Sequence, residues 1–286
     1  MKYYLITTDH LTDRLLFRDD NDFRTGMNYL AITTFVLKAN LLAFILMSNH
    51  IHIVTAGTAN QAKALADRFK QMYGRYFSRK YGNREFLRRL GVDIRELKVE
   101  DESLLRGIAY VQMNCVAANI TPHPALYPWG TGACFFKETR ERSRPLGSMS
   151  RREAIRLLRS NISLPDDFRV GDEGYILPEC YIIVKHVERL FRTPKRYSYF
   201  LGISSKSRQR LEKEAVPAFR DQVILEGMND LCRSLFRCHS LNDLADTKKA
   251  ELMRQLRRRF NPDINQLARV TGIPYPEIAA MLDSFG

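Results

Sequence analysis

Two histidines one residue apart, His50 and His52, sit in the run AFILMSNHIHI at positions 43–53. An apolar segment leads to a polar Ser48-Asn49 corner, and a second segment opens with His50-Ile51-His52-Ile53-Val54. Along a strand, side chains alternate faces, so both imidazoles project from one side with Cα atoms about 7 Å apart. Ile51 and Ile53 then point the other way, towards a core. Two imidazoles at that spacing can share one metal ion. The plainer alternative is a half-buried strand whose open face carries histidines. Further along, Tyr110 and Asn114 lie four residues apart in an apolar helical run and share one helical face. They offer a hydroxyl nucleophile and an amide ligand, although Tyr110 also suits the buried side of an amphipathic helix.

The elements that must position these groups follow from hydrophobic periodicity. Residues 2–8 read as a strand, 21–39 as a helix, 41–47 and 50–56 as a hairpin, and 59–80 as a second helix. A strand fits 92–99, and a third helix runs from about 102 to 118. The order β-α-β-β-α-β is the ferredoxin-like arrangement, so the expected class is α+β with an antiparallel sheet. Its two helices cover one sheet face. With Ile51 and Ile53 towards them, His50 and His52 lie on the opposite face, which the third helix is next in line to complete. His10, in the polar loop after the first strand, could approach such a site, although a lone loop histidine is more often solvated.

The 286 residues suffice for two domains with separate cores. A net charge of +13 and a pI near 9.6 point to a polyanionic partner, nucleic acid before membrane. No stretch approaches the roughly 18 apolar residues of a membrane span. The N-terminus turns polar too soon for a signal peptide. Five scattered cysteines without a CxxC pair suit free thiols in a reducing cytoplasm, so a cytoplasmic location is expected.

Basic and aromatic residues interleave through the second helix and beyond it: Arg68, Arg75, Arg79, Lys80 and Arg84 among Tyr73, Tyr76, Phe77 and Tyr81. Cations for phosphates and rings for bases suit a single strand; alternatively, the rings are the helix's core side. After Trp129 the composition changes. Pro145-Leu146-Gly147-Ser148 reads as a linker, and Ser150 with Glu153 forms a capping box that opens a basic helix with Arg151 and Arg152. Further helices are expected around 179–193, 205–215, 217–237 and 242–260, with Arg257 and Arg258 as phosphate contacts. No strand pattern is visible, so an all-α domain over 146–286 is expected to follow a catalytic domain over 1–137. Residues 262–284 resemble a helix-turn-helix, with small Ala268 at the crossing, Gly272 in the turn and Ile278 buried. The second helix of that motif carries Glu277 and Asp283 and few cations, so assembly is as good a role for it as base readout.

Three segments, LMSNHIHIV, YVQMNCVAANI and LYPWGTG, resemble in order and spacing the motifs of the single-tyrosine HUH transposases, in particular the REP-associated tyrosine transposase branch. That family shows LMPNHxHLL, YIxxNPVRA and YPWSS. The resemblance covers roughly residues 1–137. It implies His50, His52 and Asn114 as ligands of a divalent metal, Mg or Mn, and Tyr110 as the nucleophile. It implies single-stranded or hairpin DNA as substrate, cut and rejoined through a 5′-phosphotyrosine, and it allows a homodimer. Two departures from the pattern matter: Cys115 stands where the family has Pro, and Ala117 where it often has Arg. A rival reading is therefore a non-catalytic nucleic-acid-binding regulator derived from such an enzyme. A metal-dependent hydrolase would use the same histidines without Tyr110. Every candidate catalytic residue precedes Ala118, so a chain ending near Phe136 is expected to keep the chemistry.

Overall fold

Strand β1 (Lys2–Thr8) is the inner strand on which the sheet is built. It pairs antiparallel with β3 (His50–Gly57) on one side and β4 (Val92–Leu97) on the other. Strand β2 (Asn40–Met47) pairs with β3, giving the order β2-β3-β1-β4. The computed structural model describes residues 1–9, 11, 14–82, 90–137, 142–204 and 219–283. His10, Arg84 and the helix expected at 205–215 lie outside the described residues.

Both faces of the sheet are covered. Helix α1 (Asp20–Leu37) opens with Asp19, whose carboxylate accepts the Asp22 amide, and α2 (Ala59–Tyr81) opens with a Thr58–Gln61 capping box. Helix α2 stops at Gly82, whose φ of 74° a side chain would resist. Gly26 of α1 lies against Leu46, which pairs with Ile51, so α1 covers the isoleucine face. Helix α3 (Ser103–Gln112) covers the histidine face, where Gly107 lies against Leu97 and Tyr110 meets His52.

The segment after α3 closes the outer edge of β2, where unpaired amides would otherwise invite another chain. The Leu46 amide donates to the Trp129 carbonyl at 2.8 Å, and the Thr131 amide to Phe44 at 3.1 Å. The Tyr127 hydroxyl donates to the Leu46 carbonyl at 2.8 Å. The Trp129 indole stacks on Phe23 with ring centroids 5.0 Å apart.

The packing does not change at the boundary expected between 137 and 146. One apolar cluster runs from Tyr3 through Tyr175, Ile176, Tyr181 and Phe191 to Leu201, so these residues share the core of the sheet. In the expected linker Pro145, Gly147 and Ser148 are exposed, while Leu146 is buried in that cluster. The expectation of an all-α second half also fails: Ser143–Pro145 (β5) and Arg169–Gly171 (β6) pair antiparallel. Two three-residue strands are too short to leave a period-2 signature. Asn28 joins this region to α1, donating to the Leu157 carbonyl and accepting the Ile176 amide.

Helices α5 (Arg151–Leu158), α6 (Val184–Phe191) and α7 (Pro194–Gly202) belong to that first core, after the single turn α4 (Asn114–Ala117). A second apolar cluster, Ile224 to Ile278, holds α8 (Asp221–Ser234), α9 (Asp246–Phe260), α10 (Ile264–Thr271) and α11 (Tyr275–Asp283) together. Ala268 and Ile278 are buried and Gly272 takes φ 73° between α10 and α11, as the helix-turn-helix spacing anticipates.

Candidate functional site

Strand β3 carries His50 and His52 to one face, and both are buried. Their ring centroids are 4.8 Å apart at an interplanar angle of 75°. Each Nδ1 is held by an oxygen: Asn49 Oδ1 at 2.8 Å for His50, and Thr7 Oγ1 at 3.0 Å for His52. Thr7 is the β1 residue paired with His52, so sheet register supplies this contact. With Nδ1 engaged, Nε2 is the nitrogen that each ring would offer to a metal ion, the arrangement in which an outer partner fixes a ligand imidazole.

Tyr110 reaches the same place from α3. Its ring lies 5.2 Å from that of His52, edge to face, and is half-buried. Burial pushes its phenol above the ordinary value of 10.0, while the Arg95 guanidinium pulls it back. Helix α3 ends at Met113, so Asn114 is not one turn further along an unbroken helix. Its amide nitrogen instead donates to the Tyr110 and Val111 carbonyls at 2.8 and 3.3 Å, capping the end of α3. This fixes the buried side chain, and Oδ1 is the atom it would offer to a metal ion.

Two cavities open onto these residues. The larger, about 530 Å³, is lined by Tyr110 with Arg95, Lys98 and Arg106. These three cations are exposed, and Arg106 also pairs with Glu102 at 3.6 Å. Sequence reasoning missed them. Arg95 pairs with Leu5, placing it on the face that carries Thr7 and His52, and only the pairing register reveals that. The smaller cavity, about 250 Å³, is lined by His50, Asn49 and Asn114.

The other basic residues are spread more widely. The Lys80 ammonium is bound to Asp19 at 2.6 Å and to the fully buried Asp22 at 2.7 Å. Burial opposes its charge, yet the hydrogen bonds to these carboxylates outweigh that and raise its pKa. Lys80 is thus a core-facing partner of α1. Tyr73, Tyr76 and Phe77 are buried, so the aromatic half of that stretch packs inward. Arg68 donates to Gln71, Arg79 donates to the Arg75 carbonyl, and Arg75 and Arg79 are exposed on α2. Arg151 and Arg152 of α5 and Arg257 and Arg258 of α9 are exposed on separate elements, and none of them lines either cavity.

Among the described residues, no group of three or more His, Cys, Asp or Glu is arranged to hold a metal. His50, His52 and Asn114 carry two imidazoles and one amide oxygen, and the amide is a donor type outside those four residue types. These donor types fit a divalent ion whose remaining positions go to substrate oxygen and water. No protein-family profile, curated protein or solved structure matches the chain.

Proposed function

We propose that this protein cleaves and rejoins single-stranded or hairpin DNA through a covalent tyrosine intermediate, as a strand transferase of the single-tyrosine HUH type. The observation that carries this reading is the meeting of Tyr110 with His52 at 5.2 Å and of His52 with His50 at 4.8 Å. The strand order β2-β3-β1-β4, with two helices on one face and α3 on the other, supports a ferredoxin-like catalytic unit. The exposed cations beside Tyr110 support a phosphodiester as substrate.

In this reading the Tyr110 oxygen attacks the scissile phosphorus. The tyrosine O–P bond forms as the P–O3′ bond breaks, the phenol proton leaves to solvent, and the 3′ oxygen takes one up. The downstream strand stays on Tyr110 as a 5′-phosphotyrosine, and a second 3′ hydroxyl reverses the step on another strand without ATP. Arg95, Lys98 and Arg106 bind the phosphates of the strand held at Tyr110. Asn49 and Thr7 orient the imidazoles. A divalent ion, Mg or Mn, held by His50, His52 and Asn114 would stabilise the charge on the phosphoryl oxygens.

The test is incubation of the protein with labelled hairpin DNA and Mn²⁺ or Mg²⁺, followed by a denaturing gel. A covalent adduct is expected, absent in Tyr110→Phe, with single-strand binding retained. An adduct persisting in that variant sinks the assignment, and cleavage without any adduct points to a hydrolase.

A further inference from the structure

The helices beyond residue 219 reach the histidine pocket. Arg220, Asp221 and Arg269 line the same cavity of about 250 Å³ as His50 and Asn114. They are held there by a buried carboxylate. Asp221, 4% exposed, accepts the Ser48 hydroxyl at 2.5 Å, two residues before His50. It also accepts the Gln266 amide at 2.9 Å and the Arg269 guanidinium at 3.2 and 3.3 Å. Gln222, one residue on, donates to the Phe17 carbonyl at 2.7 Å.

The residues lining this cavity contribute two guanidiniums, Arg220 and Arg269, and one carboxylate, Asp221. Arg269 and Asp221 neutralise each other, and among the described residues no other carboxylate lines the cavity. Arg220 is paired with Asp20 at 3.3 Å, and Asp20 itself does not line the cavity. Ala117 lines the cavity too, and its methyl group cannot reach a phosphate.

We infer that Arg220 is the phosphate-binding cation of the histidine pocket, so that the nucleic-acid site is a composite of the sheet unit and the C-terminal helices. This rests on the reading of the pocket as one for a single-stranded phosphodiester. Arg220 and Ala117 line the same cavity, and the Ser48–Asp221–Arg269 contacts hold the backbone next to Arg220 against the His50 corner. A guanidinium is suited to this task because its fork can give two parallel hydrogen bonds to one phosphate.

The test compares the full chain with Arg220→Ala and Arg220→Lys. Binding of labelled single-stranded hairpin DNA is measured over a salt series in a Tyr110→Phe background, and adduct formation with Tyr110 intact. Arg220→Ala is expected to bind about tenfold more weakly and to lower the salt slope by about 0.7. Arg220→Lys should restore most of both, with the unfolding midpoint unchanged. Unchanged affinity and slope in Arg220→Ala overturn the inference, as does a lowered midpoint that Lys does not repair. A wild-type adduct indifferent to Arg220→Ala overturns the inference alone and leaves the proposed function standing. Arg220-dependent binding without any adduct overturns the proposed function and leaves this inference standing. A wild type that does not bind single strands overturns both.

Discussion

Thr7 and Arg95 show how neighbouring side chains set the chemistry of the candidate site. Thr7→Val removes the oxygen on His52 Nδ1 while keeping the side chain's shape. Adduct formation should fall by about 10- to 100-fold, the usual effect of losing such a support. Equal rates would show that the imidazole is oriented by packing alone. Arg95 acts through charge. The Tyr110 phenol is held above 10.0 by burial, so the neutral form dominates at pH 7 and the reactive phenolate increases with pH. The adduct rate should therefore climb from pH 7 towards 10. Arg95→Ala removes the cation that lowers this pKa, so its curve should move to higher pH and its neutral rate should drop. A flat profile over that range would exclude phenol deprotonation as the limiting event. For Lys80 the expectation is structural: Lys80→Met leaves Asp22 buried without its cation and should cost about 3 kcal/mol in urea unfolding. The salt slope of DNA binding should not change.

At the scale of elements, the LYPWGTG segment belongs to the architecture of the site. It runs along β2, meeting Phe44 and Leu46, and it anchors Trp129 between Phe23 and Tyr175. Met47, at the end of β2, pairs with His50, so this edge supports the strand that carries the histidines. Trp129→Ala should cost about 3–5 kcal/mol through the cavity it leaves, measured by chemical denaturation. Activity per folded molecule should fall little. Helix α3 has a different task, since its break at Met113 turns Asn114 back onto its own last carbonyls.

For the whole molecule, the two apolar clusters define where the chain can be divided. A chain ending near Phe136 would strip Tyr175, Ile176, Tyr181 and Phe191 from the core they share with the sheet. It should fail to fold cooperatively, contrary to the expectation from the positions of the catalytic residues. A chain ending at Ser204 keeps that cluster and should show a single cooperative transition by circular dichroism. It loses Arg220 and the Asp221 contacts, so it should bind single-stranded DNA more weakly than the full chain. No helix among the described residues is long and apolar enough to cross a membrane.

Local periodicity was enough to read the four-stranded unit in order, because strand and helix side chains repeat at 2 and 3.6 residues. It placed both histidines on one sheet face, and the cap at Ser150 and the turn at Gly272 were visible in residue type alone. The proximity of Tyr110 and His52 rested on the third helix being next in line to cover the histidine face and on family resemblance, since no short-range rule joins a helix to a strand sixty residues away. Tertiary structure decided which charges face the site. Lys80 and Arg79 are adjacent in sequence and both exposed, yet Lys80 reaches buried Asp22 while Arg79 donates to the Arg75 carbonyl. Arg95 reached the tyrosine through the register of β4 on β1, and Arg220 reached the histidines through docking of the C-terminal helices. Neither is encoded locally: register depends on the partner strand, and docking on a buried carboxylate whose partners, Ser48 and Arg269, lie at opposite ends of the chain.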